Sequence, residues 1–319
     1  MKFNSLYNMK DNRRVAILLI LALLIIYVLR CNNKSNFKAI WVKRTIDNDI
    51  NDYLKGGGNI ASPEIILNHI KNSKDVLMIK NNKHDVGILA SFLNKIKSPV
   101  ILVTLDGFYS TPSITAPNVA YEILNHPMIK KWYTQNYDKS IIHPKLDYYP
   151  IGLDLHTARE KKHKINIKDE SYYLQLRNTP VKRKLRILGD FHITYSHPDR
   201  KVAHNKLKNN KFVDFIPNKI LQTDLLKLYR QYTFVLSPRG AGLDCHRTWE
   251  ILLLGAIPIV QSSPLDEMYI RHNLPVLILQ DYDILNHIDE EQLLRWKIIY
   301  EQRNDDILQK LTPEYWLNQ

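Results

Sequence analysis

Cysteine is nearly absent: only Cys31 and Cys245 occur in 319 residues. With no C-x-x-C pair, neither a disulfide framework nor a zinc knuckle can be built. Cys31 abuts an apolar run and Cys245 heads a helical pattern, so no bond between them is expected. No G-x-x-x-x-G-K loop is present, which excludes transferases that cradle phosphate near their first strand, sulfotransferases among them. Internal repeats and low-complexity tracts are missing as well. Acidic residues are outnumbered, 32 against 45 lysines and arginines, for a net charge of +13. The resulting pI near 9.4 admits anionic partners: nucleotide, acidic glycan, membrane surface or nucleic acid. The basic residues form no long block and no recognition module, so no nucleic-acid partner is expected.

Uninterrupted apolar sequence is confined to one place, Val15 to Leu29, flanked by Arg13, Arg14 and Arg30. At 1.5 Å per residue it spans about 22 Å, against ~30 Å for an average bilayer core. Snorkelling arginines and a thin early-secretory membrane close part of that gap. A cleaved signal peptide needs a small-x-small site, and Tyr27 to Cys31 offers none. The run therefore reads as a type II signal anchor: 1–14 is a cytosolic tail and 15–30 the transmembrane helix. Residues 31–73 read as a stem and lead-in, broken at Gly56-Gly57-Gly58.

The remainder has the pattern of a folded α/β enzyme. Hydrophobic residues make up 45% and tyrosines number 18, and the length holds two domains with a full core each. From Asp75, short apolar runs alternate with helical periodicity. Strands are expected at Val76–Ile79, Val100–Val103 and Trp132–Asn136, with helices at Asp85–Lys97 and Asn118–Asn125. Asp106 follows the second strand at its carboxyl end, where a base can face an acceptor; a loop aspartate capping local backbone is the competing reading. Asp154 and His156 can contact a ligand or serve locally. The basic stretch 158–168 separates 74–165 from 166–300, two Rossmann-like domains, and 301–319 closes the chain as helices. In the second half, strands are expected at Leu185–Leu188 and Phe212–Ile216 and a helix at Leu221–Tyr232. Asp281-Tyr282-Asp283 matches a metal-binding D-x-D, but an aspartate before a helix is ordinary capping, and no metal is assigned.

The organising stretch is Phe234 to Val260. It reads as a buried strand, a loop with Arg239, Gly240 and Gly242, a helix N-capped by Asp244, the C′ residue Gly255, and a second strand at Ala256–Val260. Loops at the carboxyl edge of a parallel sheet bind ligands, and a helix N-terminus favours an anion. The helix is apolar nearly all round, so Arg247 and Glu250 must be paired, ligand-bound or near solvent. Arg239 and Arg247 suit a diphosphate and Glu250 suits ribose hydroxyls; an Arg247–Glu250 ion pair is the alternative.

The segment SPRGAGLDCHRTWEILLLGAIPIV resembles the nucleotide-sugar-binding segment of exostosin-like glycosyltransferases, with R-x-x-E-x-x-x-x-G-x-I-P-[IV] after a glycine loop. The likeness is close over about thirty residues and looser over Trp132 to Arg200, where W-x-x-Q-N and P-I-G-L-D-x-H-T strings occur. It implies a GT-B architecture, two Rossmann-like domains facing a cleft, and a Golgi or ER lumen-facing enzyme on a single membrane anchor. It also implies inversion at the sugar carbon, a nucleotide diphosphate-sugar donor (a UDP-sugar), a glycan or glycoprotein acceptor, and no bound cofactor. Under the same resemblance Arg200 and Lys184 become phosphate candidates; plain surface charge is the competing reading for both, and more so for Lys184. A different nucleotide-dependent transferase, or an inactive binding relative, is the alternative.

Overall fold

The computed structural model describes residues 37–40, 62–155, 169–191 and 197–318. The expected anchor, the triple glycine, the 158–168 linker and His156 lie outside the described residues. Among those described, no helix is long and apolar enough to cross a membrane. The described residues from Ala39 onward belong to one compact unit built on two parallel sheets.

The first sheet has the order β1-β2-β3-β4, with β1 Val76–Lys80, β2 Val100–Leu105, β3 Ile129–Thr134 and β4 Leu146–Tyr148. Every neighbouring pair is parallel. Helix α1, Pro63–Asn72, precedes it, capped by the Ser62 hydroxyl and with Ile66 and Ile70 buried. It lies in the stretch expected as lead-in. Helices α2, Lys83–Ser91, and α3, Pro117–Asn125, connect the first three strands. The single helix expected from Asp85 to Lys97 is instead α2 followed by a 3-10 turn, Leu93–Lys95. Asn82 caps α2, accepting from the Asp85 N–H at 2.8 Å.

The second sheet runs β6-β5-β7-β8-β9, also all parallel. Its strands are β5 Lys184–Gly189, β6 Val213–Phe215, β7 Tyr232–Leu236, β8 Ile257–Gln261 and β9 Leu277–Leu279. The helices of this half are α4 Ser171–Asn178, α5 Asp199–Leu207, α6 Gln222–Gln231, α7 His246–Leu253, α8 Asp266–Arg271 and α9 Glu290–Glu301; α10 Ile307–Lys310 and α11 Pro313–Leu317 end the chain. β7 is buried at every residue, as expected for a parallel strand covered on both faces. Its Phe234 and Leu236 join Ile187, Ile257, Ile259 and Leu277 in the core, with Trp296 and Tyr300 of α9 packed against it.

The strand order makes β5 and β7 neighbours while their chain continuations leave to opposite sides. That is a topological switch point, where a crevice opens beyond the carboxyl ends of the strands. Asp281, after β9, caps a 3-10 helix by accepting from the Asp283 N–H and pairs with Lys206. The capping aspartate is thus Asp281, whereas the expected one, directly before Ile284, is Asp283, which lies inside the helix.

Candidate functional site

A cavity of about 710 Å³ lies where the carboxyl edges of the two sheets meet. From the first sheet it is lined by Gly107 and Phe108 after β2 and Gln135 after β3, with Ile151 and Asp154 beyond β4. From the second it is lined by Asp190 after β5, the 216–220 turn after β6, the glycine loop after β7, and the first turns of α7. Such placement follows from parallel strands alone, because all their exits share one edge.

Arg247, in the first turn of α7, has its side chain only 14% exposed beside an Asp190 side chain 1% exposed, with Nε 3.1 Å from Oδ1. The Tyr229 hydroxyl donates to the other Asp190 oxygen at 2.7 Å. Burial by itself would lower the Arg247 pKa; the Asp190 charge outweighs it and holds the guanidinium well above its usual value. The ion pair read from helical spacing, Arg247 with Glu250, thus gives way to Arg247 with Asp190. Glu250 accepts instead from the buried Tyr173 hydroxyl at 2.8 Å. Burial and the Glu250 charge push that tyrosine well above its usual range.

Arg200, at the start of α5, crosses beneath the glycine loop and donates through Nε to the Arg239 carbonyl at 3.0 Å. Its guanidinium lies so close that a Cβ on Gly240 would stand 3.1 Å from Nη2. Burial, then the neighbouring Arg247 charge, lowers the Arg200 pKa. A site that crowds two cations is arranged to receive negative charge. Cys245 closes the loop: its sulfur accepts from the Gly240 N–H at 3.0 Å, and burial raises its thiol pKa against the pull of Arg200 and Arg247.

Gly242 meets the first half of the chain. A Cβ there would lie 2.9 Å from the Asn136 side-chain amide, whose oxygen accepts from the Asp244 N–H at 2.8 Å. Asp244 is not the N-cap of α7; Cys245 is, and it makes no side-chain cap hydrogen bond. The Asp244 carboxylate turns inward and accepts from Ile151 N at 2.8 Å and from the Trp249 indole at 2.8 Å.

Of the residues singled out in sequence, Arg200, Gly240, Gly242, Arg247, Glu250 and Asp154 gather on the cavity. Three do not. Asp106, at a positive φ of 59°, immediately precedes Gly107 and Phe108 but is not among the residues lining the cavity. Arg239 lines a separate cavity of about 190 Å³. Lys184 opens β5 at the amino edge, in register with Tyr232, and its ammonium lies 4.9 Å over that tyrosine ring. Strand direction puts it a full strand length from the crevice. Asp190, Tyr229 and Tyr173 were not singled out, and Asn136 entered only as the last residue of the W-x-x-Q-N string. For Asp190 the signal was present: it follows a strand's end just as Asp106 does.

No family model matches the chain, and no curated protein sequence matches it significantly. Among solved structures the chain is similar to the apo structure of OtsA, with a TM-score of 0.48 and 11% identity over 80% of this chain and 74% of that one. It is similar to an alpha,alpha-trehalose-phosphate synthase (UDP-forming) from Burkholderia vietnamiensis, with a TM-score of 0.43 and 10% identity over 80% and 76% of the two chains. It is also similar to Anabaena Alr3699/HepE in complex with UDP-glucose, with a TM-score of 0.43 and 9% identity over 78% of each chain. A likeness of this size transfers no residue role and no activity.

Proposed function

We propose that the chain is a glycosyltransferase of GT-B architecture, exostosin-like, moving a sugar from a nucleotide diphosphate-sugar (a UDP-sugar) to a glycan acceptor with inversion. The observation that carries this is the pairing of Arg200 and Arg247 with a glycine loop and the α7 N-terminus on one wall of a cavity. The other wall is the carboxyl edge of a second parallel sheet. Diphosphate has the charge, the size and the paired oxygens that such a wall can hold.

In this reading the donor diphosphate lies on Arg200, Arg247 and the backbone of Gly240 to Gly242, with the ribose toward Glu250. An acceptor hydroxyl oxygen bonds to the anomeric carbon as the carbon–oxygen bond to the diphosphate breaks. The electron pair leaves with the diphosphate, and the hydroxyl proton passes to a carboxylate. Fixed cationic and N–H donors aimed at the leaving group supply the main stabilisation. Asp154, which lines the cavity, takes the base role in place of Asp106. The lumenal, membrane-anchored placement belongs to the same proposal and rests on Val15–Leu29.

The test uses purified full-length chain, detergent-solubilised, with UDP, GDP, ADP and CMP as thermal-shift probes and diphosphate release as the assay. A nucleoside diphosphate should raise the melting temperature, and Arg200→Ala should abolish that rise. Asp154→Asn should cut turnover by roughly 10²–10⁴. Asp106→Asn, which suits the positive φ, should cost far less. A wild-type chain blind to every nucleotide would overturn the reading.

A further inference from the structure

Two large aromatic rings stand exposed at the cavity. Phe108 is 55% and Tyr109 44% exposed, and the rings stack with centroids 4.4 Å apart at 26°. Phe108 lines the cavity, and Tyr109, outside the lining, stacks on it.

The backbone beneath them is clamped by three side-chain amides. Gln135 Nε2 donates to the Gly107 carbonyl at 2.7 Å and Asn136 Nδ2 to the same oxygen at 3.2 Å. Asn81 Nδ2 donates to the Tyr109 carbonyl at 2.8 Å. Position 107 must be glycine, because a Cβ there would come within 2.1 Å of the Asn81 carbonyl oxygen. Folding gains little from holding aromatic rings in water on a fixed loop. An exposed apolar patch beside a cleft marks recognition instead.

Gln135 supplies an independent sign. It is 1% exposed and lines the same cavity. Its amide orientation is set by the bond to Gly107, and its Oε1 accepts no hydrogen bond among the described residues. A buried acceptor without a donor is costly, and a ligand hydroxyl would remove that cost.

We propose that Phe108, Tyr109 and Gln135 form the acceptor subsite, for a neutral pyranose. One C–H face of the sugar lies on the Phe108 ring, and a hydroxyl donates to Gln135 Oε1. This rests on the glycosyl-transfer reading. The guanidinium groups occupy the opposite wall, so the phosphate-bearing donor belongs there. A sugar is the ligand class that joins an apolar face to hydroxyl donors. The first-sheet wall carries the Asp154 carboxylate and, among its lining residues, no lysine or arginine. An acidic sugar would meet like charge there.

The experiment is proton saturation-transfer NMR on the full chain with methyl glycosides of glucose, galactose, xylose and glucuronic acid, with UDP thermal shift measured separately. A neutral glycoside should bind wild type and Phe108→Tyr, and roughly tenfold more weakly to Phe108→Leu, which keeps apolar bulk without the ring face. The glucuronide should bind more weakly than the neutral sugars. Equal binding by Phe108→Leu, no binding of any neutral glycoside, or preference for the glucuronide would each overturn the subsite. A chain that binds UDP but no glycoside sinks the subsite alone. One that binds glycosides through Phe108 but no nucleotide supports the subsite and sinks the transfer reading.

Discussion

Arg247 is held by a partner 57 residues away in sequence, and that changes what its replacement would report. Because the Asp190 carboxylate is 1% exposed, Arg247→Gln leaves a buried charge uncompensated and should cost about 3–5 kcal/mol of stability. Replacing both, Asp190→Asn with Arg247→Gln, should recover part of that loss, with a coupling of roughly 1–3 kcal/mol in urea unfolding. Additive losses would show that the pair acts independently. Activity loss in Arg247 variants must therefore be read against stability, which makes Arg200 the cleaner probe of anion binding. Arg247 was legible in sequence because a glycine loop before R-x-x-E is a local pattern, whereas Arg200 was named only through the family resemblance. The partners of Arg247 were not legible: Asp190 and Tyr229 come from another strand end and another helix, and spacing along a chain does not encode which strand ends become neighbours.

Among the elements, most strands stand out in sequence as short apolar runs, β7 above all, because a parallel strand buried on both faces must be one. The three-residue β4, whose central Asp147 interrupts any such run, was not expected. Boundaries were less legible, since caps depend on which side chain turns toward the backbone. Asp244 looks like a cap and is drawn inward by the Trp249 indole and Ile151 instead. The C-terminus of α7 did follow the expectation: Gly255 has a φ of +77°. Arg177 donates to the Leu253 carbonyl at 2.7 Å, while Arg183 and Arg230 donate to the Leu254 carbonyl at 2.8 and 3.0 Å. Three cations on the negative end of a helix dipole offset part of their own burial, though burial still lowers Arg177 and Arg183 to about 10. A Cβ at Gly255 would stand 3.2 Å from Arg183 and 3.4 Å from Arg177. Gly255→Ala should thus cost about 1–3 kcal/mol, from the backbone and from displaced caps. A midpoint of unfolding equal to wild type would show that the helix end relaxes freely.

At the scale of the whole molecule, the two sheets are tied by a few polar bridges close to the cavity. Asp244 accepts from Ile151, His246 Nδ1 lies 2.9 Å from the Gly152 carbonyl, the Tyr148 hydroxyl donates to the Pro264 carbonyl at 2.9 Å, and Arg271 pairs with Asp147. Two buried groups in this region titrate with opposite consequences. Burial pushes Asp244 up to about 6. Between about pH 4 and 6 the folded carboxyl keeps a proton that the unfolded one releases, so its contribution to stability is lost as pH rises through that window. Burial, then the Arg271 charge, takes His272 down to about 4. The unfolded imidazole gains its proton near 6.5 and the folded one only near 4, so its contribution is lost as pH falls. Each effect is on the order of 2–3 kcal/mol, and in the intact chain they offset. Asp244→Asn should therefore make stability fall more steeply on acidification from about pH 6.5 to 4, and His272→Gln should make it fall less steeply or rise. His69, also lowered by burial, is common to all three proteins and cancels in the differences. Urea midpoints at the two pH values decide the matter: parallel pH dependences in wild type and both variants would mean that neither group titrates as its burial requires.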